Sequence, residues 1–186
     1  MNIQIRQATK ADAPLIAQVI CLGFGEDMMR QYCGDNGLAI IEELARMEVS
    51  QYSYHCALVA EVDGQAAGII VGYDGARLQA LRQPTLAYIC SQAGFMPQIQ
   101  NETEAGEYYL DTLAVFPPFR HQGIGKALIL ALCDKAFNEG HLRVGLLVDK
   151  DNAKAERLYT SLGFQHINTK QLFDHDLWHM QKLKTS

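Results

Sequence analysis

The sequence predicts an α/β protein, a single domain over residues 1–186 in which helices lie on a mixed sheet. Three observations support this. Strand-like runs come first, an alternation of strand, helix, strand and helix follows, and strands close the chain. The length of 186 residues suits one domain. A hydrophobic fraction of 48% with 20% charged residues is the balance of an ordinary globular chain.

Taken in order, Ile3 to Gln7 read as a strand. Thr9 as N-cap, with Asp12 three residues on and Pro14 in the first turns, opens a helix that runs to about Leu22 and is broken by "GFGED". "LAIIEELARM" is a second helical stretch. "CALVAEV", the turn "DGQ" and "AAGIIVGY" then form a hairpin. From Asp74 to Gly106 the pattern is indistinct. A helix fits Leu78 to Ala93, and so long a segment between strands points to a lid or binding element.

"EYYLDTLAV" is a strand and "FPPFRHQ" a loop. "GIGKALILALCDKAFNEG" is a helix, with Ile124, Ala127, Leu128, Ala131 and Leu132 at helical spacing and Gly140 as C-cap. "RVGLLV" is the next strand. "DNAKAERLYTSLGF" is another helix, capped by Asp149 or Asp151, with Ala155, Leu158, Tyr159 and Leu162 on its apolar face. "FQHIN" and "LWHMQKL" close the sheet, and an exposed last strand would give a homodimer its pairing edge.

Composition narrows the partners. A formal charge of -5 leaves no clustered basic face for nucleic acid. No apolar run approaches the roughly 20 residues that span a bilayer, and the start "MNIQIRQATKADAPLI" reads as a first strand and not as a secretory signal. Five cysteines, odd in number and without a C-x-x-C pair, argue against a disulfide framework or a zinc knuckle and suit a reducing cytoplasm. His175 and His179 in "HDLWH" would stand about 13 Å apart on a strand, too far to share one metal ion.

The chemistry should lie where strand becomes helix. In "VFPPFRHQGIGKAL" the glycines open the first turn of a helix, whose unpaired N–H groups and partial positive charge suit an anion. The nucleotide P-loop is excluded because "GIGKA" has one residue between its glycines and Ala127 after the lysine. The dinucleotide fingerprint is excluded because Leu128 stands where its third glycine belongs. What remains is a cradle of main-chain N–H groups over Arg120, His121, Gln122, Gly123, Ile124, Gly125 and Lys126 for a pair of phosphates. Arg120 and Lys126 add charge there or are solvated surface, and His121 is either a phosphate contact or an exposed position.

The R-x-x-G-x-G run from Arg120 to Gly125 resembles the acyl-CoA loop of the GNAT superfamily of N-acyltransferases. The likeness extends over "YYLDTLAVFPPFRHQGIGKAL" and over "LLVDKDNAKAERLYTSLGF", roughly residues 107 to 165. It implies a mixed, mostly antiparallel central sheet with helices on both faces. It also implies acetyl-CoA as co-substrate and an amine acceptor, small molecule or peptide, with direct transfer that needs no metal. Leu113, Ala114 and Val115 match the strand that splays from its neighbour and lends backbone groups to the pantetheine arm. An N–H near Leu113 would polarise the thioester carbonyl. Asn152 matches a contact to that arm, beside Ala155, and Tyr159 matches the acid that protonates the departing thiolate. A phenol near 10 can give its proton to a thiolate of pKa about 8.5, though without strong driving force.

The attacking amine must lose a proton, and Glu107 and Asp111 are alternative acceptors for it, about 13 Å apart on one strand. Glu102, Glu104, Glu107 and Asp111 also form a local acidic stretch with no Lys or Arg between Arg82 and Arg120. That stretch either attracts a cationic amine, such as a polyamine or amino sugar, or is a solvated loop. A module of the same fold that binds or senses acyl-CoA without transfer is the competing function. A longer acyl group or a hydroxyl acceptor is a third.

Overall fold

The computed structural model describes residues 2–172 and 175–185. They form β1 (Ile3–Gln7), α1 (Ala13–Phe24), α2 (Glu26–Cys33), α3 (Gly37–Arg46), β2 (Ala57–Val62), β3 (Gln65–Asp74) and α4 (Leu78–Ala93). After these come β4 (Tyr108–Val115), α5 (Ile124–Asn138), β5 (Arg143–Asp149), α6 (Ala153–Ser161), β6 (Gln165–Leu172) and β7 (His175–Leu183). The strands make one seven-stranded sheet in the order β1-β2-β3-β4-β5-β7-β6, antiparallel except for β4 against β5.

Period-2 alternation along the strands divides the core into two layers. Val59, Ile69, Val71 and Tyr109 face α1 to α4, where they bury against Ile16, Ile20, Ile41 and Leu81. Leu58, Ile70, Tyr108, Leu110 and Leu146 face the other way and bury against Ile124, Leu128 and Leu132 of α5, with Leu158 and Tyr159 of α6 packed alongside. Helices thus cover both faces, as the resemblance implied. Among the described residues no helix is long and apolar enough to cross a membrane.

Several local expectations change. Thr9 and Asp12 do form a reciprocal cap, but over a single 3-10 turn, and α1 proper starts at Ala13. "GFGED" does not only end a helix: Gly25 at φ 75 turns the chain, and α2 begins at once. The buried side chains of α2, Met29, Tyr32 and Cys33, recur at i, i+3 and i+4. Neither Asp149 nor Asp151 caps α6. Asn152 does, its Oδ1 accepting from the Ala155 N–H at 3.1 Å. The last strand is not the sheet edge either, because the β6–β7 hairpin folds so that β7 pairs with β5 along its length and leaves β6 outermost.

One irregularity in β4 governs the rest. Val71 pairs with Thr112 and Gly72 with Leu110, so Asp111 has no partner residue on β3. This bulge reverses the alternation: Tyr108 and Leu110 face α5 before it, Leu113 and Val115 face α5 after it.

Candidate active site

The loop between β4 and α5 is built by its prolines and by two residues of positive φ. Phe119 and Arg120 donate back to Phe116 and Pro117 at 2.9 and 3.3 Å in a 3-10 turn. His121 then takes φ 62 and Gly123 φ 80, which reverse the chain into α5. The first bond of that helix runs from the Ala127 N–H to the Gly123 carbonyl at 3.0 Å. The N–H groups of residues 121 to 126 therefore have no acceptor among the described residues, and they stand at the start of α5, the positive end of its dipole.

Gly123 answers to its left-handed backbone. Gly125 does not: a Cβ there would meet nothing nearer than Val115 Cγ2 at 3.7 Å, an ordinary contact. Packing does not require glycine at 125, and what its absence of side chain leaves open is the surface of the loop. This fits a ligand that comes up to the main chain. Arg120 Nε donates to the Val115 carbonyl at 3.1 Å and Gln122 Nε2 to that of Pro118 at 3.2 Å, so both side chains brace the loop. His121 and Lys126 are exposed, and Ile124 is buried under the helix start.

β4 and β5 pair only from Tyr108 with Val144 to Leu110 with Leu146. Beyond that point they part, and Leu113, Ala114 and Val115 are held by β3 on one edge only. A cleft of about 490 Å³ opens there, reaching from Leu113, Leu147, Asp149 and Asn152 to α1 and α2.

Asp111 lies in this cleft, its Oδ2 accepting from Thr112 Oγ1 at 2.9 Å. Burial pushes its pKa up to about 6, although the hydroxyls of Thr112 and Tyr73 and the charge of Arg82 favour the ionised form. Behind it, Arg82 of α4 forms a buried ion pair with Glu102, and Glu102 Oε1 also accepts from Gln51 Nε2 at 2.8 Å and from Tyr73 at 2.7 Å. Arg82 holds the adjoining chain as well, donating to Asn101 Oδ1 at 2.8 Å and to the Gln100 carbonyl at 3.2 Å. The segment after α4 is thus a pinned wall of the cleft, contributing Ile99 and Glu102.

Glu107 faces a different neighbourhood and is not among the residues lining the cleft. Its carboxylate accepts from His179 Nε2 at 2.9 Å, Gln181 Nε2 at 2.7 Å and Thr103 Oγ1 at 2.7 Å, tying the start of β4 to β7. Burial raises its pKa, but those three donors outweigh burial and the net shift is downward. Glu104 is exposed outside the cleft. The acidic stretch of the sequence is therefore dispersed: Glu102 is paired with Arg82, Glu107 is held by three hydrogen-bond donors, and Asp111 alone of the four lies in the cleft without an ion pair among the described residues.

On the other face of the sheet, Tyr159 is half-buried in the α5 layer with its ring 5.7 Å from that of Phe164, edge to face. Burial pushes its pKa up to about 12. Asn152 borders the cleft, but its side chain is occupied in capping α6, with Ala155 as the donor.

Sequence reasoning missed Arg82, Gln51 and the wall from α2. Only the spacing of Met29, Tyr32 and Cys33 announced that wall. It also missed His175, a cleft residue 3.7 Å from Asp149 at the rim.

A profile of the acetyltransferase (GNAT) family matches residues 26–164. The chain belongs to that family. A mycothiol acetyltransferase of Gordonia bronchialis is 27% identical to this GNAT protein over 175 residues, which cover 87% of the chain and 50% of the relative. The chain spans about half the length, or less, of the curated relatives it matches. A crystal structure of an acetyltransferase superimposes with a TM-score of 0.81 at 32% identity, covering 97% of this chain and 98% of the other. The PaiA N-acetyltransferase of Thermoplasma acidophilum, solved in complex with coenzyme A, superimposes with a TM-score of 0.59 at 19% identity over 99% of this chain and 100% of that one. At that identity the likeness to the GNAT protein is one of fold.

Proposed function

We propose that the protein transfers an acetyl group from acetyl-CoA to a primary amine by direct attack in a ternary complex. The observation that carries this reading is the run of unpaired N–H groups at residues 121 to 126, set beside a parted pair of strands with a carboxylate in the cleft. The diphosphate of the donor would rest on those N–H groups, and the open edge at Leu113, Ala114 and Val115 would take the pantetheine arm as a further strand.

In the reaction the amine nitrogen attacks the thioester carbonyl carbon. A C–N bond forms, the C–S bond breaks, the nitrogen releases a proton and the sulfur gains one. Asp111, ionised at pH 7 and more basic than an ordinary aspartate, receives the proton as bond formation makes the nitrogen acidic. Glu107, held by three donors with a lowered pKa, is poorly suited to that role. Tyr159 stays protonated across the working range and supports the sulfur from the opposite face of the sheet. A proton held this firmly favours a hydrogen bond to the departing thiolate over complete transfer. The N–H near Leu113 would stabilise the oxyanion.

The test is release of free thiol from acetyl-CoA with a panel of amines, alongside a calorimetric titration with coenzyme A. Saturable, amine-dependent release together with heat on titration is expected. Absence of both would refute the assignment.

A further inference from the structure

Behind Asp111 lies a set of buried polar groups that the reaction described above does not use. Gln51 Nε2 donates to Glu102 Oε1 at 2.8 Å and to the Tyr73 hydroxyl oxygen at 3.1 Å, and that hydroxyl lies 2.7 Å from the same Glu102 oxygen. Arg82 closes the set by its ion pair with Glu102. All four side chains are at most 5% exposed, so each polar atom must find its partner within the protein.

Tyr73 does not line the cleft, yet it stands beside the carboxylate that does. It pairs with Tyr109 across the sheet while Val71 pairs with Thr112, so Asp111 falls between those partners, diagonal to Tyr73 and within reach of its hydroxyl. Tyr73 packs in the layer of α1 to α4, the side on which the cleft opens. The hydroxyl has one hydrogen to give and two carboxylates beside it. Glu102 can release that hydrogen at little cost, because Arg82 and Gln51 remain as its donors. Asp111 has Thr112 Oγ1 as its other donor.

From this we infer that Tyr73 is a positioning residue for acetyl transfer, its hydroxyl turning to Asp111 when that carboxylate is ionised and back to Glu102 once Asp111 has taken the amine's proton. The inference rests on the acetyltransfer reading and deepens it. No covalent bond of Tyr73 changes. Burial holds its pKa well above the usual value, so the hydroxyl rotates and keeps its proton. The hydrogen bond is strongest to the charged carboxylate and therefore offsets part of the burial that drives Asp111 toward its neutral form.

The other groups around Asp111 hold one charge state. Burial raises the pKa of Tyr32 of α2, of Tyr52, of Tyr109 on β4 and of Cys56 ahead of β2, and all four stay neutral. Arg82 of α4 is balanced by Glu102. From α1 the cleft receives Leu22, Gly23 and Phe24, none of them titratable. Asp149 of β5 and His175 of β7 stand 3.7 Å apart at the rim, and they are untouched by a change at Tyr73.

The experiment records kcat/KM against pH at saturating acetyl-CoA, with the amine that gives the fastest thiol release, for the wild-type protein and Tyr73→Phe. Titration of the amine itself is common to both and cancels in their ratio. The midpoint should move to higher pH by about one unit, the worth of one hydrogen bond to a buried carboxylate, so that the loss relative to wild type is about tenfold deeper at pH 5.5 than at pH 8.5. In an Asp111→Asn background the same exchange should deepen the loss equally at both pH values. 3-Fluorotyrosine at position 73, a stronger donor of nearly the same shape, should move the midpoint to lower pH and tests the inference apart from any effect of the Phe variant on packing. Midpoints that stay in place, with losses of equal depth across the pH range, are what a purely structural tyrosine gives; they overturn the inference and leave acetyl transfer standing. Absence of amine-dependent thiol release from the wild-type protein overturns both.

Discussion

The Glu107 carboxylate lies across the backbone of Gly145, in the space that any side chain on that glycine would claim. β5 must therefore be bare at this point for β4 to reach His179 and Gln181 on the strand beyond it. Gly145→Ala should force the carboxylate from its three donors and destabilise the protein by about 2–4 kcal/mol, as over-packing and a displaced buried charge together do. Denaturant unfolding measures it. Because the pKa of Glu107 is lowered in the fold, its contribution is present above the unfolded carboxylate value near 4.5 and disappears as pH falls through the folded one. The difference between the wild-type protein and Glu107→Gln should shrink on acidification.

Asp111 has the opposite sign. Its pKa rises from 3.8 to about 6, so the fold is favoured when the group is protonated and loses stability as pH climbs from the unfolded value through the folded one. Asp111→Asn should raise the melting temperature at pH 8 and leave it nearly unchanged at pH 4. The same substitution should lower kcat by about 10²–10⁴-fold, the range for removal of a general base. In the wild-type protein, kcat/KM should gain activity with an apparent pKa near 6.

Tyr159→Phe removes one oxygen and keeps the ring against Phe164. Turnover should fall by about 10²-fold, within the range for a positioned proton donor, with coenzyme affinity little altered. An unchanged kcat in steady-state assays would take Tyr159 out of the mechanism and leave it as packing.

At the loop, Gly125→Val fills the surface that the glycine leaves open, 3.7 Å from Val115, without opposing the backbone. Coenzyme binding should weaken by about tenfold, the consequence of losing one or two charge-assisted hydrogen bonds to phosphate, while the melting temperature holds. Calorimetry and thermal melts separate the two effects.

The glycine loop was legible because a left-handed turn and an approachable backbone demand particular residue types at fixed spacing. The layers were legible for the same reason: Ile69, Ile70 and Val71 alternate as a buried strand must. Other features depend on partners distant in sequence. Nothing local tells Glu107 from Asp111; one is bound by β7, more than seventy residues later, and the other sits at a bulge defined by β3. Arg82 occurs in an unremarkable helix and acquires its meaning from Glu102 across a loop. The α2 wall was hidden by its eight-residue length and by the glycine that precedes it.

The unpaired residue of β4 means that the cleft's carboxylate is aimed by counting. Leu113 and Val115 reach the α5 layer because one residue more than β3 can match stands between Leu110 and Thr112. Shortening the chain there by one would rotate everything downstream to the wrong layer and carry the glycine loop with it. Exchanging side chains along the strand would leave that aim intact. Substitutions along the strand can thus retune the cleft, whereas an in-frame deletion of a single codon at this point would misdirect it.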